Sequence, residues 1–188
     1  IMTTHHIDAI TTETPLGAFV MLVHAGVVRA SGFTTVTELR LRLPRELQEI
    51  EPTHVPYHPF ENFVKQYFEG NLAAISNIPH HQSGGDFYDS VWAAMSRIEP
   101  GHTLSYKQLA QQSTNPKAIR AVGTACGKIR IVLIVPCHMI IKRDGGVGTY
   151  LYGSSIKKQL LDHESSCRDN DRISPSLPKY KPTARWRL

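Results

Sequence analysis

A cysteine beside a histidine, Cys137 and His138, follows Pro136 at the end of the apolar run Ile131, Val132, Leu133, Ile134, Val135. Buried apolar runs generally end in turn residues, not in a thiol next to an imidazole. Sulfur is a good nucleophile only as thiolate, and a neighbouring base or positive charge makes thiolate available near neutral pH. Free cysteines are more often small buried hydrophobes, so this segment alone supports nucleophile and core residue about equally. Glu164 lies three residues after Leu161 and four after Leu160, which sets it on the apolar face of a helix. An acid on an inward face needs a partner, and His138 would serve. Carboxylate, imidazole and thiol in that order follow the logic of a nucleophilic triad with Cys in place of Ser. A carboxylate capping the helix end, partly exposed, is the competing reading.

A further constellation surrounds Arg120. Ala118, Ala121, Gly123, Thr124 and Ala125 are small, and Arg120 is the one long cation among them. Small side chains let a helix backbone approach another surface closely. A single arginine projecting from them could enter a base stack, which suits a minor groove better than side-chain readout of the major groove. A helix packed tightly inside the protein would carry the same small residues.

These groups must be held by elements legible in the pattern. Thr14-Pro15-Leu16-Gly17 predicts a turn, Ala18 to His24 a strand, and Ala25-Gly26 a reversal into a second strand from Val27 to Phe33. Thr37 to Glu49 has helical composition broken at Pro44, and 52–59 reads as a connector rich in proline and histidine. Phe60, Phe63, Val64, Tyr67 and Phe68 repeat at helical spacing up to Gly70. A polar stretch at 80–85 predicts a boundary. Beyond it Phe87, Val91, Ala94, Met95 and Ile98 mark a helix ending at Pro100-Gly101. Ser105 and Gln108 fit a capping box. Asn115-Pro116 predicts an N-cap with proline at the first helical position, in a helix reaching about Cys126. Two short helices joined by a tight turn form a helix-turn-helix pattern. A last helix is expected from about Ser155 to Glu164.

The fold class expected is α+β: a small N-terminal α/β domain with an antiparallel hairpin sheet over 1–82, and a mostly helical domain with the helix-turn-helix over 83–164. Residues 165–188, rich in Ser, Pro, Lys and Arg, read as a mobile basic tail. The chain has 188 residues, 41% hydrophobic and 20% charged, with no apolar stretch of membrane-spanning length and no secretory signal. Three cysteines argue against a disulfide framework and for a reducing, intracellular setting. The net charge of +5 is uneven, −3 over 1–82, +4 over 83–164 and +4 over 165–188. A basic second half suits a polyanionic partner, although that imbalance alone is within ordinary scatter.

Taken together the residues resemble the O6-alkylguanine-DNA alkyltransferases, single-turnover DNA repair proteins. The resemblance covers almost all of 8–164. It rests on T-P-L-G at 14–17, Y-F-E-G at 67–70, F-Y-D-S-V-W-A-A-M-S-R-I-E-P-G-H-T-L-S-Y at 87–106, A-I-R-A-V-G-T-A-C-G-K at 118–128, I-V-P-C-H at 134–138 and K-K-Q-L-L-D-H-E at 157–164. It implies that Cys137 accepts the alkyl group from guanine O6, with His138, through a water, and Glu164 keeping the sulfur ionised. Tyr106 would hydrogen-bond the flipped base. Arg120 would fill the gap that base leaves, with Lys117, Ala121, Gly123 and Thr124 on the DNA face. Tyr150, Met139, Ile129 and Lys157 would line or flank the base pocket. The implied partner is double-stranded DNA carrying alkylated guanine, with a monomer, no membrane and no cofactor expected; no metal is expected either, because His5-His6, His80-His81 and His138 have no spacing with cysteine that defines a site. Such displacement needs the base out of the stack, where O6 can be reached in line.

Two positions depart from the family pattern. Met139 stands where P-C-H-R would place arginine, and Ile129 stands where the family has an asparagine eight residues before the cysteine. Loss of the arginine should raise the thiol pKa. Loss of the amide should leave turn backbone unpaired, at about 1–3 kcal/mol if buried. A slower or re-specified acceptor is therefore expected. A lesion sensor that binds without efficient transfer would share these features. A cysteine hydrolase is disfavoured, because hydrolytic Cys and His usually come from separate elements.

Overall fold

The computed structural model describes residues 5–171. Strand β1 (Ile7–Thr14) turns through Pro15-Leu16 into β2 (Gly17–His24), which reverses at Ala25-Gly26 into β3 (Val27–Gly32). A short β4 (Thr53–His54) adds to β1 in parallel, giving the sheet order β3-β2-β1-β4. The β1–β2 and β2–β3 pairs are antiparallel, with a bulge at Leu22/Val23. The apolar character of β2 follows from burial on both faces. Val20 and Leu22 meet Leu39, Leu43 and Leu47 of the helical segment that follows the sheet, whereas Phe19, Met21 and Val23 face the main core. Strands β1 and β4 were not foreseen: β1 mixes polar and apolar residues, and β4 spans two residues of the connector.

Helix α1 (Val36–Arg40) and α2 (Arg45–Gln48) are separated at Pro44, as the composition predicts. Helix α3 (Phe60–Phe68) presents Val64 and Tyr67 inward, and Gly70 leaves it at φ +114, a conformation glycine adopts without strain. Helix α4 is Asp86–Ser96, and α5 (Tyr106–Gln111) opens on the expected capping box between Ser105 and Gln108. Helix α6 (Ile119–Gly127) begins later than expected, with Ala118 at its N-cap. The Asn115 side chain instead accepts from the Lys117 amide, and its carbonyl accepts from Ala118, so Asn115-Pro116 forms the turn of the helix-turn-helix. Strands β5 (Leu104–Ser105) and β6 (Ile140–Ile141) pair in parallel. Helix α7 runs Ser154–Asp171, past the Glu164 where the sequence reading ended it. Residues 165–171 are thus helical, and the rest of the expected tail, 172–188, lies outside the described residues.

The fold is α+β. One apolar cluster joins Ile10, Phe19 and Met21 of the sheet with Val91, Met95, Leu109, Val122, Leu160 and the run 131–135. Among the described residues no helix is long and apolar enough to cross a membrane, and no group of three or more His, Cys, Asp or Glu side chains is placed to hold a metal ion.

Candidate active site

The run 131–135 is not a regular strand. It makes single bridges, Ser31 with Ile131 and Val132 with Val135, and Leu133 takes the left-handed conformation at φ +75. A non-glycine residue there stores about 1–2 kcal/mol of strain. The surrounding packing must hold it, since Leu133 is fully buried. The chain then enters one tight turn, Cys137–Met139, in which the Met139 amide donates to the Pro136 carbonyl at 3.1 Å.

That turn sets His138 against α7. Its Nε2 lies 2.6 Å from Glu164 Oε1, with both side chains about 1% exposed. The hydroxyl of Tyr67, from α3, donates to the same carboxylate oxygen at 2.7 Å. Burial pushes the Glu164 carboxyl up, but the His138 charge and the bonds from His138 and Tyr67 outweigh it, so it lies below its ordinary value. In the neutral imidazole the carboxylate on Nε2 places the proton there and leaves Nδ1 as the acceptor. Nδ1 is buried with no protein partner, on the residue next to Cys137. The inward face of α7 thus carries the acid that the pattern predicts, and the partner is His138.

Cys137 is 8% exposed and unbonded to His138. Burial pushes its thiol up to about 12, against the pull of Lys157 and then Arg42. Lys157 is itself buried, donating to the carbonyls of Ile140 at 2.5 Å and Thr149 at 3.2 Å. Gly148 lies between this ammonium and the Tyr106 hydroxyl, both 3.5 Å from where a Cβ would sit, and its φ is +79. Burial, then Cys126, raises the Tyr106 phenol, against a hydrogen bond with Thr149. Tyr150 is raised well above ordinary by burial, then by Cys137, and its hydroxyl is buried without a partner. Cys137, His138, Glu164, Tyr106, Tyr150 and Lys157 therefore converge on one region.

Met139 and Ile129 are buried and apolar. Three backbone groups at and after Ile129 have side-chain partners. Its carbonyl accepts from Arg42 at 2.7 Å, and the Arg130 and Ile131 amides both donate to Gln82 Oε1, at 2.9 and 3.2 Å. Arg120, Lys117 and Thr124 are exposed on or just before α6, with Ala121 and Gly123 half-buried beside them. That helix is anchored from behind by Trp92, whose indole donates to the Ala125 carbonyl at 2.9 Å. Sequence reasoning missed Tyr67, Arg42 and Gln82. Tyr67 carried the one available signal, a hydroxyl on an inward helix face that must find an acceptor.

Residues 86–166 match the family model of the 6-O-methylguanine DNA methyltransferase DNA-binding domain. A methylated-DNA–protein-cysteine methyltransferase of Methanosarcina mazei is 36% identical over 110 residues, covering 58% of this chain and 69% of that protein. The chain belongs to this family. The protein of the same name from Shigella flexneri is 41% identical over 101 residues, which span 54% of this chain and 59% of that relative. The chain thus matches less than two thirds of the length of that relative. Mycobacterium tuberculosis OGT in complex with DNA superposes with a TM-score of 0.70 at 29% identity, covering 86% of this chain and 94% of that one. A variant of the M. tuberculosis O6-methylguanine methyltransferase gives 0.72 at 28% identity, over 90% and 96%.

Proposed function

We propose that the protein moves an alkyl group from O6 of guanine in double-stranded DNA onto Cys137, once per molecule, as a monomer inside the cell. The observation that carries this reading is the buried Tyr67–Glu164–His138 chain, which ends on a free acceptor nitrogen beside the cysteine. Cys137 is protonated at neutral pH, so attack has to be coupled to loss of its proton. The proton passes to His138 Nδ1, through a bridging water as the family resemblance implies, and Glu164 stabilises the imidazolium. The sulfur–carbon bond forms as the carbon–O6 bond breaks, and the electron pair leaves on O6. Tyr106, held protonated, donates a hydrogen bond to the departing guanine, whose proton uptake balances the one lost by the thiol. The thioether has no return path.

The exposed face with Arg120, Lys117, Ala121, Gly123 and Thr124 would lie in the minor groove while the base is everted. Binding without transfer is less well supported, since Cys137 is retained next to the paired His138 and Glu164. Incubation with duplex oligonucleotide containing O6-methylguanine, followed by intact mass of the protein and analysis of the base, tests the proposal. The expected result is a gain of one methyl per molecule with unmodified guanine left behind. Binding with no mass gain would refute transfer.

A further inference from the structure

Helix α7 carries a second thiol–imidazole pair, His163 and Cys167, one turn apart on the side that packs against α3. His163 is 6% exposed, and its Nε2 lies 2.8 Å from the Tyr67 carbonyl. A carbonyl oxygen can only accept, so that nitrogen carries a proton and, in the neutral ring, Nδ1 is the acceptor. Nδ1 faces Cys167 Sγ at 3.9 Å, within hydrogen-bonding range for a sulfur donor. The cysteine is half-buried, and its sulfur lies beside Gly70, 3.8 Å from where a Cβ would stand there. Cys167 is one residue beyond the stretch 86–166 that matches the family model.

The pair is hydrogen-bonded in both of its charge states. As thiol and neutral ring, S–H donates to Nδ1; as thiolate and imidazolium, Nδ1–H donates to the sulfur. In either state Nε2–H stays on the Tyr67 carbonyl. The surroundings favour the charged ring. That carbonyl belongs to the last turn of α3, where the helix dipole attracts positive charge. The Phe68 ring stacks on the imidazole with centroids 5.6 Å apart, an arrangement that stabilises a cation over an aromatic face. The charged neighbours on α7 are Glu164, whose carboxylate is taken by His138 and Tyr67, and Arg168, whose guanidinium donates to the Gly101 carbonyl at 3.2 Å. From α3 the facing titratable group is the Tyr67 phenol, raised well above its ordinary value by burial and then by Glu164. Burial pushes the other two thiols, Cys126 and Cys137, up to about 12.

We propose that Cys167 and His163 form a thiol–disulfide exchange site, separate from the alkyl acceptor, that takes a small disulfide of the glutathione type. His163 Nδ1 receives the Cys167 proton as the sulfur attacks one sulfur of the disulfide. A bond forms between Cys167 and that sulfur while the original S–S bond breaks. Its electron pair leaves on the second sulfur, which takes the proton back from the imidazolium. Cys167 is thereby oxidised to a mixed disulfide, and the departing half is reduced to a thiol. Neither Cys137 nor DNA takes part.

The test uses the full chain as parent, H163Q and C167S at neutral pH, with peptides quantified by mass so that each cysteine is read separately. Glutamine keeps an N–H donor for the Tyr67 carbonyl and cannot take up a proton. With iodoacetamide, Cys167 should react at least about tenfold faster than Cys126 or Cys137. H163Q should slow Cys167 by roughly tenfold while the other two keep their parental rates; a merely loosened fold would instead speed all three. Glutathione disulfide should add one glutathionyl group per molecule, on Cys167, and none to C167S. A Cys167 rate in H163Q equal to or above the parent's would overturn the role of the imidazole. Uptake of glutathione by C167S at the parental rate would overturn the site. If H163Q does not fold, the parent decides alone: Cys167 should react faster than the thiol of reduced glutathione under the same conditions, and an equal or slower rate overturns the proposal. Failure of the parent to take methyl from DNA would sink the repair reading and leave all of these rates interpretable.

Discussion

At the scale of single residues, the surroundings of Cys137 keep its thiol neutral. With the Cys137 value near 12, direct ionisation at pH 7 is rare, and the proposed transfer needs His138 as its base. His138→Gln should therefore slow single-turnover methyl transfer by about 10²–10⁴-fold. What remains should climb roughly tenfold per pH unit, because it then depends on spontaneous thiolate. Quench-flow rates at several pH values check the slowing and this slope. Tyr67→Phe removes one of two bonds to Glu164 Oε1 and leaves the imidazole pair in place. Its expected effect is smaller, on the order of tenfold, equivalent to one hydrogen bond to a charged group.

At the scale of elements, the helix-turn-helix and the approach of β3 to the active-site segment set what the site can do. Arg120→Ala should slow transfer from duplex DNA by roughly tenfold or more, since a few kcal/mol of unstacking must be recovered. It should leave iodoacetamide labelling of Cys137 unchanged, because the exposed Arg120 is not among the charges that act on that thiol. Gly32 is a second test. A Cβ there would fall 2.0 Å from the Tyr152 hydroxyl, so Gly32→Ala must displace that ring from β3 and from its edge contact with Phe33. A loss of about 1–3 kcal/mol in urea unfolding is expected.

The hairpin, α3, the capping box of α5 and the inward acid on α7 were legible because each has a local signal, in period, cap or turn chemistry. Asn115-Pro116 signals a turn as well as an N-cap, and here it forms the turn, with Ala118 at the N-cap of α6. Strand β4 and the stray bridges of 131–135 are products of tertiary pairing, for which two or three residues carry no pattern. Arg42 and Gln82 act on backbone 87 and 48 residues away, respectively, and no periodicity reports such contacts.

At the scale of the whole molecule, the sheet and α3 are structural parts of the site. Tyr67, Ser31, Arg42 and Gln82 all belong to the first 82 residues, and each bonds a group in or leading to the reactive region. Glu164 also couples the site to overall stability. Its folded value lies below the ordinary 4.5, so its contribution is complete above that pH and fades as pH falls through the folded value. Glu164→Gln should lower stability at neutral pH and flatten its decline below the ordinary 4.5, measured as urea midpoints.

The most direct measurement follows an isotopically marked methyl group from guanine O6 in a duplex to its final atom. After one turnover and proteolysis, the mark is expected on the sulfur of Cys137 alone, with Cys126 and Cys167 bare and a Cys137→Ser protein unmarked. Label on either other cysteine, or retained at parental rate by the serine protein, would contradict it.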